Sequence, residues 1–415
     1  METKISFISL TAVFAALFVL FTSTIVHLEE VSGNSEFESE CSIITEFNFQ
    51  RILVDDQRQR PPTFGLDAAH ITSEKYKDIV AGQYFYKNPG GDMTGEWKRS
   101  RLPGFPEIDG VLFVDVDGDE YGDIIGLRLP DVYWLEADDK DGKSWSVRAK
   151  IGEIPQGPHG TSTQGFITGQ IVPGGKPEII IGSKGVYYFE IPENPEQGNW
   201  PMTRVIESPN SEEGLALADM NGNGLLDIIG CIDKTQRPNP VGWYENPGDG
   251  SEDWTYHQVG TTGWVADRFE VTDINGNGRL DIVVAVANGH DDGVYWFENP
   301  GDPSQPDWVR HTIVIQKLCN SMSMADMTGN RIKDVILGQH YTTWGNPPTE
   351  TDRKLRIFTS DGYGNFTEHF IDKGIESHLG AKVYDLNGNG LLDIVNIGWS
   401  DFQYLYIWRN DSKIK

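Results

Sequence analysis

Cysteine is nearly absent. Cys41, Cys231 and Cys319 are the only three in 415 residues, so no disulfide framework organises the fold, and free or buried thiols are expected rather than a bridge. Positive charge is scarce as well: 34 Lys and Arg stand against 62 Asp and Glu, a formal charge of −28. No basic run interrupts that field, which repels phosphate backbones and excludes a grip on nucleic acid. A Ser/His/Asp pattern and a cysteine-nucleophile motif are also missing, which counts against hydrolysis through a covalent intermediate. What the chain does have is Gly 46, Pro 22, Trp 12 and Tyr 15, the residues of short strands and tight turns. With 38% hydrophobic residues it has enough apolar surface for a sizeable core.

Residues 5–26 form an uncharged, largely apolar run behind Lys4, and the next charges are Glu29 and Glu30. This is an export-signal pattern. Its 22 residues also suffice for a bilayer-spanning anchor, while Val31-Ser32-Gly33 offers small residues for cleavage, the preferred outcome. Residues 1–33 are therefore read as a signal peptide or signal anchor and 34–45 as a linker. The body is expected outside the cytoplasm, whether secreted, periplasmic or at the cell surface, with membrane contact only through an uncleaved anchor. The sequons Asn365-Phe-Thr367 and Asn410-Asp-Ser412 carry little weight, because three-residue motifs arise often by chance.

Internal periodicity sets the domain count. Asp115-Val-Asp117-Gly-Asp119-Glu-Tyr-Gly-Asp123 recurs as Asp219-Met-Asn221-Gly-Asn223-Gly-Leu-Leu-Asp227, Asp273-Ile-Asn275-Gly-Asn277-Gly-Arg-Leu-Asp281 and Asp385-Leu-Asn387-Gly-Asn389-Gly-Leu-Leu-Asp393. A weaker copy runs over 326–334, and 64–82 and 166–182 keep the flanking strands without the loop. The last acidic positions of the seven, Asp78, Asp123, Glu178, Asp227, Asp281, Asp334 and Asp393, are spaced by 45 to 59 residues, which fits four short strands per unit. Third strands end in turns such as Trp243-Tyr-Glu-Asn-Pro-Gly248, and fourth strands open at Trp97, Trp145, Trp200, Trp254, Trp308 and Phe366. The seventh unit has no fourth strand of its own, but residues 47–54 supply one at the front. The expected fold is an all-β, seven-bladed β-propeller of four-stranded blades over 46–410, its ring closed by that N-terminal strand, with 411–415 as a tail.

Each complete loop gathers side-chain oxygens at positions 1, 3, 5 and 9, with glycines that let the backbone fold around them. Hard oxygens at that density suit Ca²⁺. An EF-hand needs Glu at position 12, where Gly126, Gly230, Val284 and Asn396 stand, so that reading fails. One copy alone is equally an Asx-Gly turn without metal; the second carboxylate in four copies favours structural calcium at Asp115, Asp117, Asp119 and Asp123, and at the corresponding residues of the other three loops. Thr328 and Arg331 weaken the 326–334 copy.

These loops and their strands resemble the FG-GAP/VCBS repeat family, which includes the propeller of integrin α chains; the resemblance implies the fold and says little about function. The aromatic Glu-Asn-Pro-Gly turns, the Trp strands and His159 within Gly157-Pro-His-Gly160 look more narrowly like the propeller domain of the aldos-2-ulose dehydratases, although the cupin domains of those enzymes have no counterpart here.

Strand alternation places the remaining connections on the face opposite the loops. Glu107, Asp109, His159, Asp267, Arg268 and His378 precede inner strands there, and Arg128, Lys234, His290, His340 and Trp399 follow second strands. Taken singly, each histidine is more readily an ordinary turn residue; taken together, His159, His378, His290, His340 and Arg268 are the candidate catalytic set, with room for a second divalent metal. His257, His311 and His369 fall in outer strands and are read as structural, and the recurring third-strand aromatics as packing. Two functions from different classes follow. Either the face binds or processes carbohydrate, as a lyase or dehydratase in which His or Tyr removes a proton beside a carbonyl while Arg268 or a metal holds the enolate, or the propeller is an adhesion scaffold for an extracellular protein.

Overall fold

A computed structural model describes residues 43–59, 64–104, 107–119, 121–208, 211–287, 289, 292–340 and 353–414. The apolar segment 5–26, Cys41 and His290 lie outside the described residues. Among the described residues, seven separate four-stranded antiparallel sheets account for all the strands, and the one helical element is the short 3₁₀ turn Pro195–Gln197. The inner strands, one per blade, are Leu66–Ala69, Asp109–Phe113, Gly165–Gly169, Ala216–Ala218, Val265–Thr272, Ser321–Ala325 and Lys382–Tyr384. The seven-bladed propeller expected from the repeats is the observed fold.

Blade 5 shows why the sequence reads as it does. Its second strand, Asp281–Ala287, is buried at every position, because sheets pack on both of its faces; hence an unbroken apolar run instead of alternation. Its fourth strand, Val309–Ile315, is largely exposed, with Val309 at 61% and Ile315 at 66%. The core therefore lies between neighbouring blades, as where Trp243 of blade 4 shares a cluster with Phe297 and Trp308 of blade 5. The tryptophans that open the fourth strands are buried plugs. Each indole N–H caps the turn before it, as in Trp145 to the Gly142 carbonyl at 3.0 Å and Trp308 to that of Gln305 at 2.8 Å.

The last acidic residue of every repeat is buried in its blade. In each, one carboxylate oxygen accepts the backbone N–H two residues into the loop or its equivalent, from Thr72 to Asp78 at 2.7 Å through Met220 to Asp227 at 2.9 Å to Leu386 to Asp393 at 3.0 Å. In blades 1, 4, 5, 6 and 7 the other oxygen accepts the N–H at the end of the third strand, from Asn88, Asn246, Asn299, Ser360 and Asn410. The loop-side bond forms even in blades 1 and 3, which lack the acidic loop, where Asp78 and Glu178 accept it. The second carboxylate therefore has work in a turn without metal, and its recurrence alone does not argue for an ion.

Ring closure is a β-pairing between the two ends of the chain. Phe49–Asp55 pairs antiparallel with Leu405–Asn410, setting Ile52 opposite Ile407, and an isolated bridge joins Ile44 to Ile414. Tyr384 of blade 7 donates to Asp67 of blade 1 at 3.0 Å, stitching the same seam from the inside.

Candidate functional site

The acidic loops join first to second strands at one face. In the Asp219 loop the position-1 carboxylate accepts the N–H groups of Gly222, Asn223 and Gly224 at 2.8 to 3.0 Å, so the turn wraps around it. Asp273, Asp385 and the degenerate Asp326 do the same. Position 6 needs positive φ, which Gly224, Gly278 and Gly390 supply at 83 to 86° while Arg331 adopts 69°. In the Asp115 loop, oxygens of Asp115, Asp117 and Asp123 lie within 4.8 Å of one another, as do those of Asp117, Asp119 and Glu136. Burial, aided by Asp117 and Glu136, pushes Asp123 up to about 7, a penalty that a bound cation would relieve. The donor set is all oxygen and fits a hard divalent ion.

Sequence reasoning missed the third-strand glutamates beside these loops. Glu136 stands by Asp117 and Asp119, Glu245 accepts from Asn221 at 3.0 Å and Glu298 from Asn275 at 3.0 Å. The same two glutamates hold His257 and His311 at 2.8 and 2.9 Å, while those rings stack on Trp243 and Trp296 at 4.3 and 4.1 Å. His369 bonds Thr359 at 3.0 Å and meets Phe47 edge-on.

The opposite face carries a cavity of about 400 Å³ lined by His159, His340, His378, Lys234, Glu213 and Asp267, with Phe64, Trp399, Gln164 and Asn320 among the rest. Two polar groups meet there. In the first, Lys234 Nζ lies 2.6 Å from Glu212, 2.7 Å from Glu213 and 3.1 Å from His159 Nε2. In the second, His340 Nδ1 lies 2.8 Å from Glu376 and 3.1 Å from His378 Nδ1. Glu376 is itself fixed by the Asp401 N–H at 2.6 Å, so the carboxylate orients the imidazole and leaves His340 Nε2 as the ring nitrogen not engaged by it. Between the groups runs an aromatic wall, with Phe64 stacked on Trp399 at 5.0 Å and against His159 at 4.8 Å.

Burial decides the charges. It pushes Asp267 up to about 8, and the negative charge of hydrogen-bonded Glu213 adds to that, against Arg268. For Glu213 burial is outweighed by Lys234 and His159, which hold it down to about 2. The pair thus shares one proton, carried by Asp267. Burial also lowers His159, and it lowers His378 well below the usual imidazole range with help from His340 and Arg268, so both rings are neutral at pH 7. His159 Nδ1 and Asn320 Oδ1 are buried without a hydrogen-bond partner.

Of the candidate catalytic residues, His159, His340 and His378 come together around one cavity. Arg268 does not line it but donates to the backbone carbonyls of two residues that do, Asp267 at 2.8 Å and His378 at 3.2 Å. Glu107 and Arg128 do not line it: Glu107 pairs with Arg101 at 2.9 Å and Arg128 with Tyr133. Asp109 is a buried staple for the N–H groups of Phe64 and Gly65. The histidines are paired with carboxylates and with each other rather than aimed at one ion position; among the described residues, the groups of three His, Cys or carboxylate donors close enough for one ion are both at the Asp115 loop, one of them including Glu136 of the adjoining third strand. Cys231 and Cys319 are free and buried.

The FG-GAP-like repeat family matches residues 219–284 and 273–337. No curated protein matches the chain by sequence, and the narrower likeness to the dehydratase propeller gains no support there. Among solved structures, an Agrocybe aegerita lectin described as specific for non-reducing terminal N-acetylglucosamine is similar at 20% identity and a TM-score of 0.50, over 81% of this chain and 83% of that one. BBS1N, solved in complex with ARL6DN, is similar at 10% identity and a TM-score of 0.51, over 89% and 96%. At such identities the likeness is one of fold: the chain is a seven-bladed β-propeller that carries FG-GAP-like repeats over residues 219–337.

Proposed function

We propose that the cavity opposite the acidic loops binds a carbohydrate and that its chemistry is elimination. The observation that carries this reading is the meeting, in one cavity, of a carboxylate-oriented imidazole, Glu376–His340, and a protonated carboxyl, Asp267. His340 takes the proton from a carbon beside a carbonyl or carboxylate, and the Lys234 ammonium faces the enolate charge that develops. The C–O bond at the next carbon then breaks, and the departing oxygen takes the proton of Asp267. The vacant acceptor of Asn320 suits a sugar hydroxyl, and Phe64 with Trp399 offers an apolar surface to a ring. A lectin on this fold binds a sugar, so the architecture is compatible with the ligand class. An adhesion site would favour a flat apolar face, and a charged cavity does not suit that role.

The acidic loops complete the reading as structural calcium sites, held by Asp115, Asp117, Asp119 and Asp123, by Asp219, Asn221, Asn223 and Asp227, by Asp273, Asn275, Asn277 and Asp281, and by Asp385, Asn387, Asn389 and Asp393. Calcium there neutralises clustered carboxylates at an exposed turn. Extracytoplasmic calcium and the export signal at residues 5–26 agree with such sites.

The test is incubation of the protein with oxidised sugars and acidic polysaccharides. A new ultraviolet absorbance from a conjugated double bond, lost in His340→Gln and Asp267→Asn, is the expected result; binding without absorbance change would leave a lectin, and no binding across the panel would end the carbohydrate reading.

A further inference from the structure

Gln164 lines two cavities: the pocket above and a second of about 370 Å³ among the inner strands. Arg268 stands at the boundary, lining the inner chamber and donating to Gln164 Oε1. The inner wall is mostly apolar, with Phe166, Leu215, Phe269 and Met322 facing Lys382 and Glu270. Lys382 comes from the inner strand of blade 7. Its Nζ donates to the Leu66 carbonyl across the ring seam at 2.6 Å and lies 5.1 Å from the centre of the Phe166 ring. Burial draws its pKa below the ordinary lysine value, and Arg268 adds to this against the opposite pull of Asp67 and Glu270. Burial acts on Glu270 in the other sense, pushing it up to about 7 against Lys333, the Met324 N–H and Lys382. Both side chains keep some exposed surface.

An amine beside another cation in an apolar enclosure is a ready nucleophile toward carbonyl carbon, and a carboxyl that holds its proton near neutrality can expel water. We propose that Lys382 forms an imine with a small aldehyde or ketone bound in the inner chamber. The amine nitrogen adds to the carbonyl carbon, and the π pair passes to oxygen, which is protonated to give a carbinolamine. Its hydroxyl leaves as water with a proton from Glu270 while the nitrogen loses one, giving C=N. Amine and carbonyl become imine and water, with no change of oxidation state. This activity does not depend on the carbohydrate reading of the outer pocket.

The test treats the full chain near neutral pH with glycolaldehyde and cyanoborohydride, which reduces an imine to a stable secondary amine, and follows each lysine by peptide mass spectrometry. Lys143, 71% exposed and held above its ordinary pKa by Asp141, is the internal reference. The expected result is a hydroxyethyl adduct on Lys382 while Lys143 is still unmodified, and loss of that adduct in Lys382→Arg, which keeps a donor for Leu66. Glu270→Gln, which leaves the lysine in place, should slow labelling at Lys382 and not at Lys143. Labelling of Lys382 only after Lys143, or its absence from Lys382 in the folded protein, overturns the proposal.

Discussion

Asp227 accepts the backbone N–H of Asn246 at 2.9 Å from within a fully buried site, joining the end of an acidic loop to the end of the third strand. Asp219, eight positions earlier at the head of the same loop, is bonded mainly to exposed N–H groups of its own turn. The two should therefore fail differently. Asp227→Ala strands two buried N–H groups and should cost about 2–5 kcal/mol with or without calcium. Asp219→Ala should cost about 1–3 kcal/mol in calcium and little in EDTA, because what it loses is linkage to the ion. Thermal melts of both variants and the parent, with and without chelator, check this; a parent melting curve unmoved by EDTA would remove calcium from the loops. Asp326→Ala should matter less than Asp219→Ala.

Deleting residues 43–56 should lower the melting temperature and promote association, because it removes Ile52 from beside Ile407 and leaves the last blade with an open edge. Calorimetry and light scattering read the two effects. A truncated protein as stable and monodisperse as the parent would mean that the pairing with Leu405–Asn410 contributes nothing.

In the proposed elimination Asp267 must carry its proton to assist the leaving oxygen. Since burial pushes it up to about 8, turnover should hold through neutrality and fall as pH rises through about 8. The sign for stability is the same: the folded pKa lies above the unfolded value, so its contribution is complete at acid pH and is lost progressively up to about 8. Initial rates from about pH 6 to about pH 10 test the first statement. Asp267→Asn, which has no proton to give, should abolish turnover across the same range.

His340→Gln should reduce kcat by roughly 10²–10⁴ if the imidazole is the base. Glu376→Gln should produce a smaller loss, with KM little changed, because it disturbs the orientation of the ring and not the ring itself. Melting curves of both variants separate this from collapse of the blade. A Glu376→Gln variant indistinguishable from the parent would show that the 2.8 Å pair does no catalytic work.

The blades were legible because the acidic residue that ends each loop recurs for a local physical reason, the two N–H groups it must satisfy. The convergence of His159, His340 and His378 was legible from topology alone, since connections of one kind fall on one face. Glu212, Glu213 and Glu376 were missed, although they too sit in segments that lead into inner strands, Glu376 in the one that holds His378. Acidic residues are so common in this chain that two adjacent glutamates carry no signal until Lys234 is seen between them. Lys382 was missed for a similar reason: one lysine in a short strand reveals neither its burial nor the cation beside it. The third-strand aromatics were correctly read as packing, whereas the turn-capping N–H bonds of the tryptophans that open the fourth strands depend on loop shapes that spacing does not specify.

The seam between Phe49–Asp55 and Leu405–Asn410 also orders events during synthesis. The strand that completes blade 7 is made before any strand of blades 1 to 6, and its partner is made after all of them. While six blades are made, that strand has no sheet to join, and Leu53, which stays 49% exposed even in the finished ring, belongs to a segment open to mispairing for the whole interval. The ring therefore closes only once blade 7 offers Leu405–Asn410 as the partner of that strand.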